Sequence, residues 1–366
     1  MKKKKVAIAL SGGVDSGVAA SLLVDEGYEV SGFHMQLWHE EGNDDFKNKC
    51  CNIDSLEAAR KTAQKLEIPF YVVNFSKIFK KEIVDYFLKE YGDGKTPNPC
   101  VMCNRLVKFG VLLDYVRDLG FDYLATGHYA KIKKNKGSHL FLGVDRNKDQ
   151  SYFLYNLTQE KLESILFPLG DLKKDQVFKL ARKLKLPVAD RPESQEVCFF
   201  PESDYKPFLK RNIKKKIIPG LVLNKKREVI GKHKGLPLYT IGQRHGFEIN
   251  KKLKANKGLI PPFYVIEKDF KKNALVVGFG EETEIKSFVL KDLNWINPSV
   301  EENLEKGFKC KVKIRHQGEL LESFLEKENG DLRVTLVDPQ RGVSPGQAAV
   351  FYKDKEVLGG GIIYSH

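Results

Sequence analysis

Ser11-Gly12-Gly13-Val14-Asp15-Ser16 is the first stretch of this chain whose residue types and order could do chemistry. Glycines let the backbone come close to an anion, and a helix start offers unbonded N–H groups and a favourable dipole. Ser11 and Ser16 add hydroxyl donors, and the Asp15 carboxylate suits Mg²⁺. An apolar run at 6–10 precedes the stretch and a helical period at 16–26 follows it, the setting of a phosphate-binding turn. An ordinary tight turn is the alternative. The stretch lacks the Gly-Lys-Ser/Thr of a Walker A loop and the spacing of a dinucleotide G-x-G-x-x-G.

Cysteine supplies the second chemistry. Cys50 and Cys51 are adjacent, Cys100 and Cys103 are three apart, and Cys198 and Cys310 stand alone. So uneven a set in 366 residues is no disulfide framework, and a reducing compartment would keep such thiols reduced. What remains is a pair of nucleophiles or a metal site, because a thiolate serves as either. Cys-x-x-Cys alone does not choose, since zinc and redox sites share it.

Around these groups, residues 1–205 alternate β-rich runs with helical periods, the pattern of a parallel α/β sheet. Strands are expected at 6–10, 29–35, 70–73 and 122–126, the last ending in Gly127-His128. Helices are expected at 16–26, 77–91, 108–119, 158–166 and 173–185. One more should run from Asp54, as its cap, to about residue 66, with Glu57 at the capping-box position. Residues 206–280 turn to Gly, Pro and Lys punctuation with short apolar strands, a small β-rich central domain. Alternating strands dominate 281–366, as at 310–315, 332–336 and 348–352, and predict an all-β barrel or sandwich.

A composition of 42% hydrophobic and 30% charged residues excludes wholesale disorder. Charge is not spread evenly. Residues 206–280 hold 19 Lys and Arg against 4 Asp and Glu, which accounts for the whole formal excess of +14. An excess gathered in one segment fits a polyanion such as RNA; a merely solvated surface is the alternative. Behind the basic start, Met1-Lys2-Lys3-Lys4-Lys5, the apolar run is too short for a secretory leader. No stretch approaches the ~18 apolar residues of a membrane span. A cytoplasmic protein with no membrane partner is expected.

In its strand-to-helix setting, Ser11-Gly12-Gly13-Val14-Asp15-Ser16 resembles the S-G-G-x-D-S loop of the PP-loop ATP pyrophosphatases. That family cradles ATP, adenylates a substrate oxygen and releases pyrophosphate. Further stretches narrow the resemblance. They are Thr96-Pro97-Asn98-Pro99-Cys100-Val101-Met102-Cys103-Asn104, Ala125-Thr126-Gly127-His128-Tyr129, the run 147–154 and Ser194-Gln195-Glu196-Val197-Cys198-Phe199. Thr240-Ile241-Gly242-Gln243-Arg244, Ser344-Pro345-Gly346-Gln347 and the run 359–363 follow. In this order they resemble the tRNA-specific 2-thiouridylases over essentially the whole chain.

The resemblance implies an adenine nucleotide alpha hydrolase-like first domain, and an enzyme that exchanges the C2 oxygen of the wobble uridine for sulfur. ATP with Mg²⁺ would lie on Ala9, Leu10, Ser11, Gly12, Gly13, Val14, Asp15 and Ser16, with Met35 and Gly127. Cys198 would carry a persulfide received from an upstream sulfur-donor protein. Cys103 would resolve it, leaving a transient Cys103–Cys198 disulfide. Asn98, Pro99 and Cys100 would face the target base of the tRNA. His128, Lys148, Asp149, Gln150, Arg315, His316 and Gln347 would meet the rest of the tRNA, the last three from the C-terminal domain.

Cys100 departs from many members of the family, which carry aspartate there, so this chain lacks that aspartate as an acid–base group. The change also makes Cys100, Cys103 and Cys198 a set of three thiolates that could hold a [4Fe–4S] cluster with one iron open. The metal content, if any, stays open between that cluster and zinc. Cys50, Cys51 and Cys310 match no functional position and read as structural. The alternative for His128 is a buried, satisfied histidine, and for Arg315-His316 a solvated strand end. Two other function classes remain. One is a different PP-loop tRNA-modifying enzyme or synthetase; the other is a non-catalytic RNA-binding module, which would not need an intact loop at 11–16.

Overall fold

A computed structural model describes residues 3–40, 53–191, 197–200, 202, 204–250, 262–328 and 330–365. Strand β1 (Lys5–Ala9) is buried on both faces, which is why an apolar run without alternation forms it. It pairs in parallel with β2 (Glu29–Gln36) and β4 (Tyr123–Ala125). With β3 (Phe70–Asn74) and β7 (Ile165–Leu166) it makes a five-stranded parallel sheet in the order β3-β2-β1-β4-β7. Val6 and Ile8 join Val18, Ala19 and Val177 in a cluster that includes α1 (Val14–Asp25), α2 (Ile53–Lys65) and, later in the chain, a helix at Lys174–Lys183. Ala7 and Phe33 join a second cluster, with Phe79, Ile83 and Phe87.

That second cluster draws on two interrupted helices. The first runs from α3 (Ser76–Phe79) through wide π-type turns (Lys80–Asp85) into α4 (Tyr86–Gly92). The second begins as α5 (Pro99–Met102), where the Asn98 side chain accepts from the Val101 N–H at 3.3 Å and Pro99 takes the first turn. It continues in wide turns over Cys103–Leu112, broken at Phe109 and Gly110, and ends as α6 (Leu113–Asp118). The helix expected at 108–119 is therefore the tail of a longer element.

Asp54 lies inside the first turn of α2 rather than capping it. The helix expected at 158–166 stops as α7 (Gln159–Glu163), because Ile165 and Leu166 gain parallel pairing with Leu124 and Ala125 and bury Ile165. The helix at Lys174–Lys183 is α8, and α9 (Tyr205–Asn212) leads into the central sheet.

The central sheet has the order β10-β9-β8-β12-β11: β8 (Gly220–Leu223), β9 (Val229–His233), β10 (Glu248–Ile249), β11 (Tyr264–Asp269) and β12 (Ala274–Gly278). The last six strands are antiparallel and close on themselves. They are β13 (Glu284–Trp295), β14 (Phe308–Lys313), β15 (Leu321–Glu328), β16 (Asp331–Arg341), β17 (Ala348–Lys353) and β18 (Glu356–Ser365). β13 pairs with both β16 and β18, which completes a barrel. Alternate residues such as Cys310, Val312, Val334 and Leu336 fill its interior. A hairpin from the first domain, β5 (Ala130–Lys134) and β6 (Ser138–Leu142), extends the barrel sheet along β18. The cluster that begins at Ala7 continues through Val222 and Leu275 to Val350 and Tyr352, so the three regions share one core. Among the described residues no helix is long and apolar enough to cross a membrane.

Candidate active site

The loop after β1 is fixed by contacts from far along the chain. Gly12 has φ +77°, and a Cβ there would lie 2.2 Å from the Ser55 carbonyl oxygen, so glycine is required. Ser16 Oγ donates to the Gly13 carbonyl at 3.0 Å and accepts from the Ser11 N–H at 3.2 Å. The Asp15 carboxylate accepts from Lys174 Nζ at 2.7 and 2.8 Å and from the Tyr129 hydroxyl at 2.7 Å. The Lys174 side chain is 8% exposed. Arg191 Nη1 donates to the carbonyls of Gly12 and Asp54. A Cβ on Gly127 would lie 2.9 Å from Ser16 N, so glycine there lets the end of β4 approach the loop. Tyr129 belongs to a stretch that the sequence singles out. Lys174 carries no such signal, being 159 positions from Asp15.

A cavity of about 320 Å³ opens from this loop. Its lining includes Ala9, Leu10, Ser11, Asp15, Ser16, Met35 and Gly127 together with Pro99, Cys100, Cys103, His128, Gln150 and Cys198. Gly12, Gly13 and Val14 shape the turn without lining the cavity, and Asn98 acts as the cap of α5. Cys100 is exposed, Cys103 is 8% exposed and Cys198 lies between. Lys108 also lines the cavity, a residue that sequence spacing does not single out. Among the described residues, no three His, Cys, Asp or Glu side chains are grouped to hold a metal ion.

His128 is a buried histidine that also borders the cavity. It is 7% exposed, with Nδ1 2.7 Å from Thr126 Oγ1 and its ring between those of Phe109 and Phe167, yet it lines the cavity. Burial, and then the positive charge of Lys108, push its pKa well below the ordinary imidazole value, so it is neutral at pH 7.

Other expected RNA contacts sit where the first domain meets the barrel. Asp149 is 4% exposed, and its carboxylate accepts from the Gly143 N–H and the Ser151 hydroxyl, both at 2.7 Å. Burial raises its pKa. The His316 Nε2 lies 2.9 Å from the Asp149 carbonyl oxygen, and its ring packs 4.3 Å from that of Phe153. Gln150 Oε1 accepts from the Tyr129 N–H. Gln347 Nε2 donates to the Thr96 carbonyl at 2.8 Å, so the loop at 344–347 props the turn before Asn98. Arg315 and Gln347 line a second cavity, of about 690 Å³, with Tyr264, Gln340 and Arg341. Half-buried Lys148 lines neither cavity. Cys310 is inside the barrel, where burial pushes its thiol up to about 12 and leaves it unreactive. Cys50, Cys51, Ser194, Gln195 and Glu196 lie outside the described residues.

Comparison with known proteins gives this arrangement a family. Residues 4–202 match the tRNA methyl transferase HUP domain, 206–279 the tRNA methyl transferase PRC-barrel domain, and 285–363 the aminomethyltransferase beta-barrel domain. The tRNA-specific 2-thiouridylase MnmA of Carboxydothermus hydrogenoformans is 43% identical over 370 residues, 99% of this chain and 98% of its own. The chain belongs to the tRNA-specific 2-thiouridylase family. A second thiouridylase, from Symbiobacterium thermophilum, is 45% identical over 98% of this chain and 92% of its own. Among solved structures, NMN synthetase from Francisella tularensis aligns over 59% of this chain and 79% of its own, at 17% identity and a TM-score of 0.33. A likeness that faint adds nothing to what the thiouridylase family already establishes.

Proposed function

We infer that the protein is an ATP-dependent tRNA sulfurtransferase of the cytoplasm. It replaces the C2 oxygen of the wobble uridine by sulfur, giving 2-thiouridine, AMP and pyrophosphate. The observation that carries this reading is the single cavity lined by the nucleotide loop and by Cys100, Cys103 and Cys198. A carbonyl oxygen leaves poorly and AMP leaves well, so sulfur insertion at C2 calls for both halves of that lining.

The helix start at Gly13 and the hydroxyls of Ser11 and Ser16 hold the ATP phosphates. Oxygens of Asp15 and the loop serines would hold Mg²⁺, which would supply neutralisation of the phosphate charge. Lys174 and Tyr129 fix the Asp15 carboxylate. Uridine O2 attacks the α-phosphorus and pyrophosphate leaves. The terminal sulfur of a Cys198 persulfide, loaded by an upstream donor protein, attacks C2; the C2–O2 bond breaks and AMP departs with the oxygen. The Cys103 thiolate then attacks Cys198 Sγ. The S–S bond breaks, sulfur stays on the base, and a Cys103–Cys198 disulfide forms that an external dithiol reduces before the next turnover. A [4Fe–4S] cluster on Cys100, Cys103 and Cys198 does not fit the described grouping of side chains, and no step is derived through one.

Arg315 and Gln347 in the second cavity, with the basic stretch 206–280, take the tRNA. The test is mass analysis of tRNA nucleosides after incubation with ATP and a persulfide donor. 2-Thiouridine should form with ATP and not without it. Sulfur incorporation that ignores ATP would overturn the reading.

A further inference from the structure

Among the described residues lining the reaction cavity, one is a formal anion and one a formal cation: Asp15 and Lys108. Asp15 is bound to Lys174. Both histidines in the lining, His34 and His128, are held neutral by burial. Lys108 is half-buried, and no carboxylate among the described residues pairs with it. Its charge reaches His128, which follows Gly127, the glycine packed against Asp15 and Ser16. On its other side Lys108 shares an element with Cys103.

The shape of that element matters. In a regular α-helix, residues five apart point about 140° away from each other. The wide turns of Cys103–Leu112, bonded i to i+5, bring such residues to one side, and both Cys103 and Lys108 line the cavity. Lys108 thus lines the same cavity as the loop that holds phosphate and the cysteine that resolves the sulfur.

We propose that Lys108 is a further catalytic residue, whose ammonium group stabilises the phosphate of the departing AMP as sulfur attacks C2. This rests on the sulfurtransferase reading above. As the carbon–sulfur bond forms and the C2–O2 bond breaks, the electron pair of the latter passes to a phosphate oxygen. A fixed cation in a partly buried site stabilises that charge far better than water does.

Rapid-quench measurements with labelled ATP follow adenylated tRNA and thiolated nucleoside separately. In Lys108→Met, adenylated tRNA should accumulate, while its conversion to thiouridine falls on the order of 10²-fold. Lys108→Arg, which keeps the charge, should recover most of that loss. Thermal unfolding checks the fold, and Lys108→Gln replaces the methionine variant if that one does not fold. Unchanged conversion in a charge-removing variant, an equal loss of adenylation and conversion, or a change confined to KM would each overturn the proposal. If wild type makes no thiouridine in the same mixture, the failure lies in the underlying reading instead.

Discussion

Asp15 shows how a motif residue depends on a partner that no motif contains. Its carboxylate is held by Lys174 and Tyr129, so an amide in its place leaves a buried ammonium without its anion and turns one acceptor facing that ammonium into a donor. Asp15→Asn should lower adenylation on the order of 10²-fold. Its tRNA affinity, read by filter binding, should stay near wild type, since the basic segment lies elsewhere in the chain. Equal loss of both in folded protein would contradict that division. The loop and the Cys100–Cys103 pair are legible in local spacing, whereas Cys198 stands alone in the sequence and is singled out only by the resemblance to the thiouridylases. Lys174 and Lys108 are not legible, because one acts across 159 positions and the other depends on a helix being wider than usual. His128 adds a pH effect. Held neutral in the fold, it binds fewer protons than the unfolded chain below about pH 6.5, so stability should fall as pH drops through that value. Thermal unfolding against pH should show a smaller fall in His128→Asn; an unchanged fall would assign the effect to other groups.

The short helix α5 carries Cys100, and it is placed from outside by the loop at 344–347. Gly346 has φ +92°, and a Cβ there would come within 2.9 Å of Lys95 Cβ and Thr96 N. Gly346→Ala should cost about 1–2 kcal/mol from the left-handed backbone alone, measurable by denaturant unfolding. It should also reduce thiolation more than that loss explains, because it displaces the turn leading into α5. Wild-type activity in a destabilised variant would separate this loop from the site. Elements whose pattern is local, such as β1, α1 and the barrel strands, are legible in the sequence. The β5–β6 hairpin is not: its lysine-rich strand reads as surface, and its partner β18 lies over 200 residues away. Ile165 and Leu166 read as the end of a helix until β4 offers them a parallel edge.

The three regions share a core, so the basic segment and the cavity at the nucleotide loop belong to one body. Within the basic segment, exposed Lys214 and Lys215 differ from Lys216, which pairs with Asp93 of the first domain at 3.1 Å. Lys214→Glu with Lys215→Glu should therefore weaken tRNA binding and make the slope of log affinity against log salt shallower by roughly one to two units. An unchanged slope would remove these lysines from the RNA interface. The family of the chain supplies tRNA as the substrate, and the salt slope tests whether this segment holds it. In the proposed mechanism sulfur passes through Cys198 to the base and Cys103 releases it. The most direct test loads the enzyme with labelled sulfur, removes the donor, and follows the label after adding ATP and tRNA. Wild type should move the label from Cys198 to tRNA in one turnover, and Cys103→Ser should load sulfur but deliver little. Full delivery by Cys103→Ser, or loading and delivery by Cys198→Ser, would contradict the account.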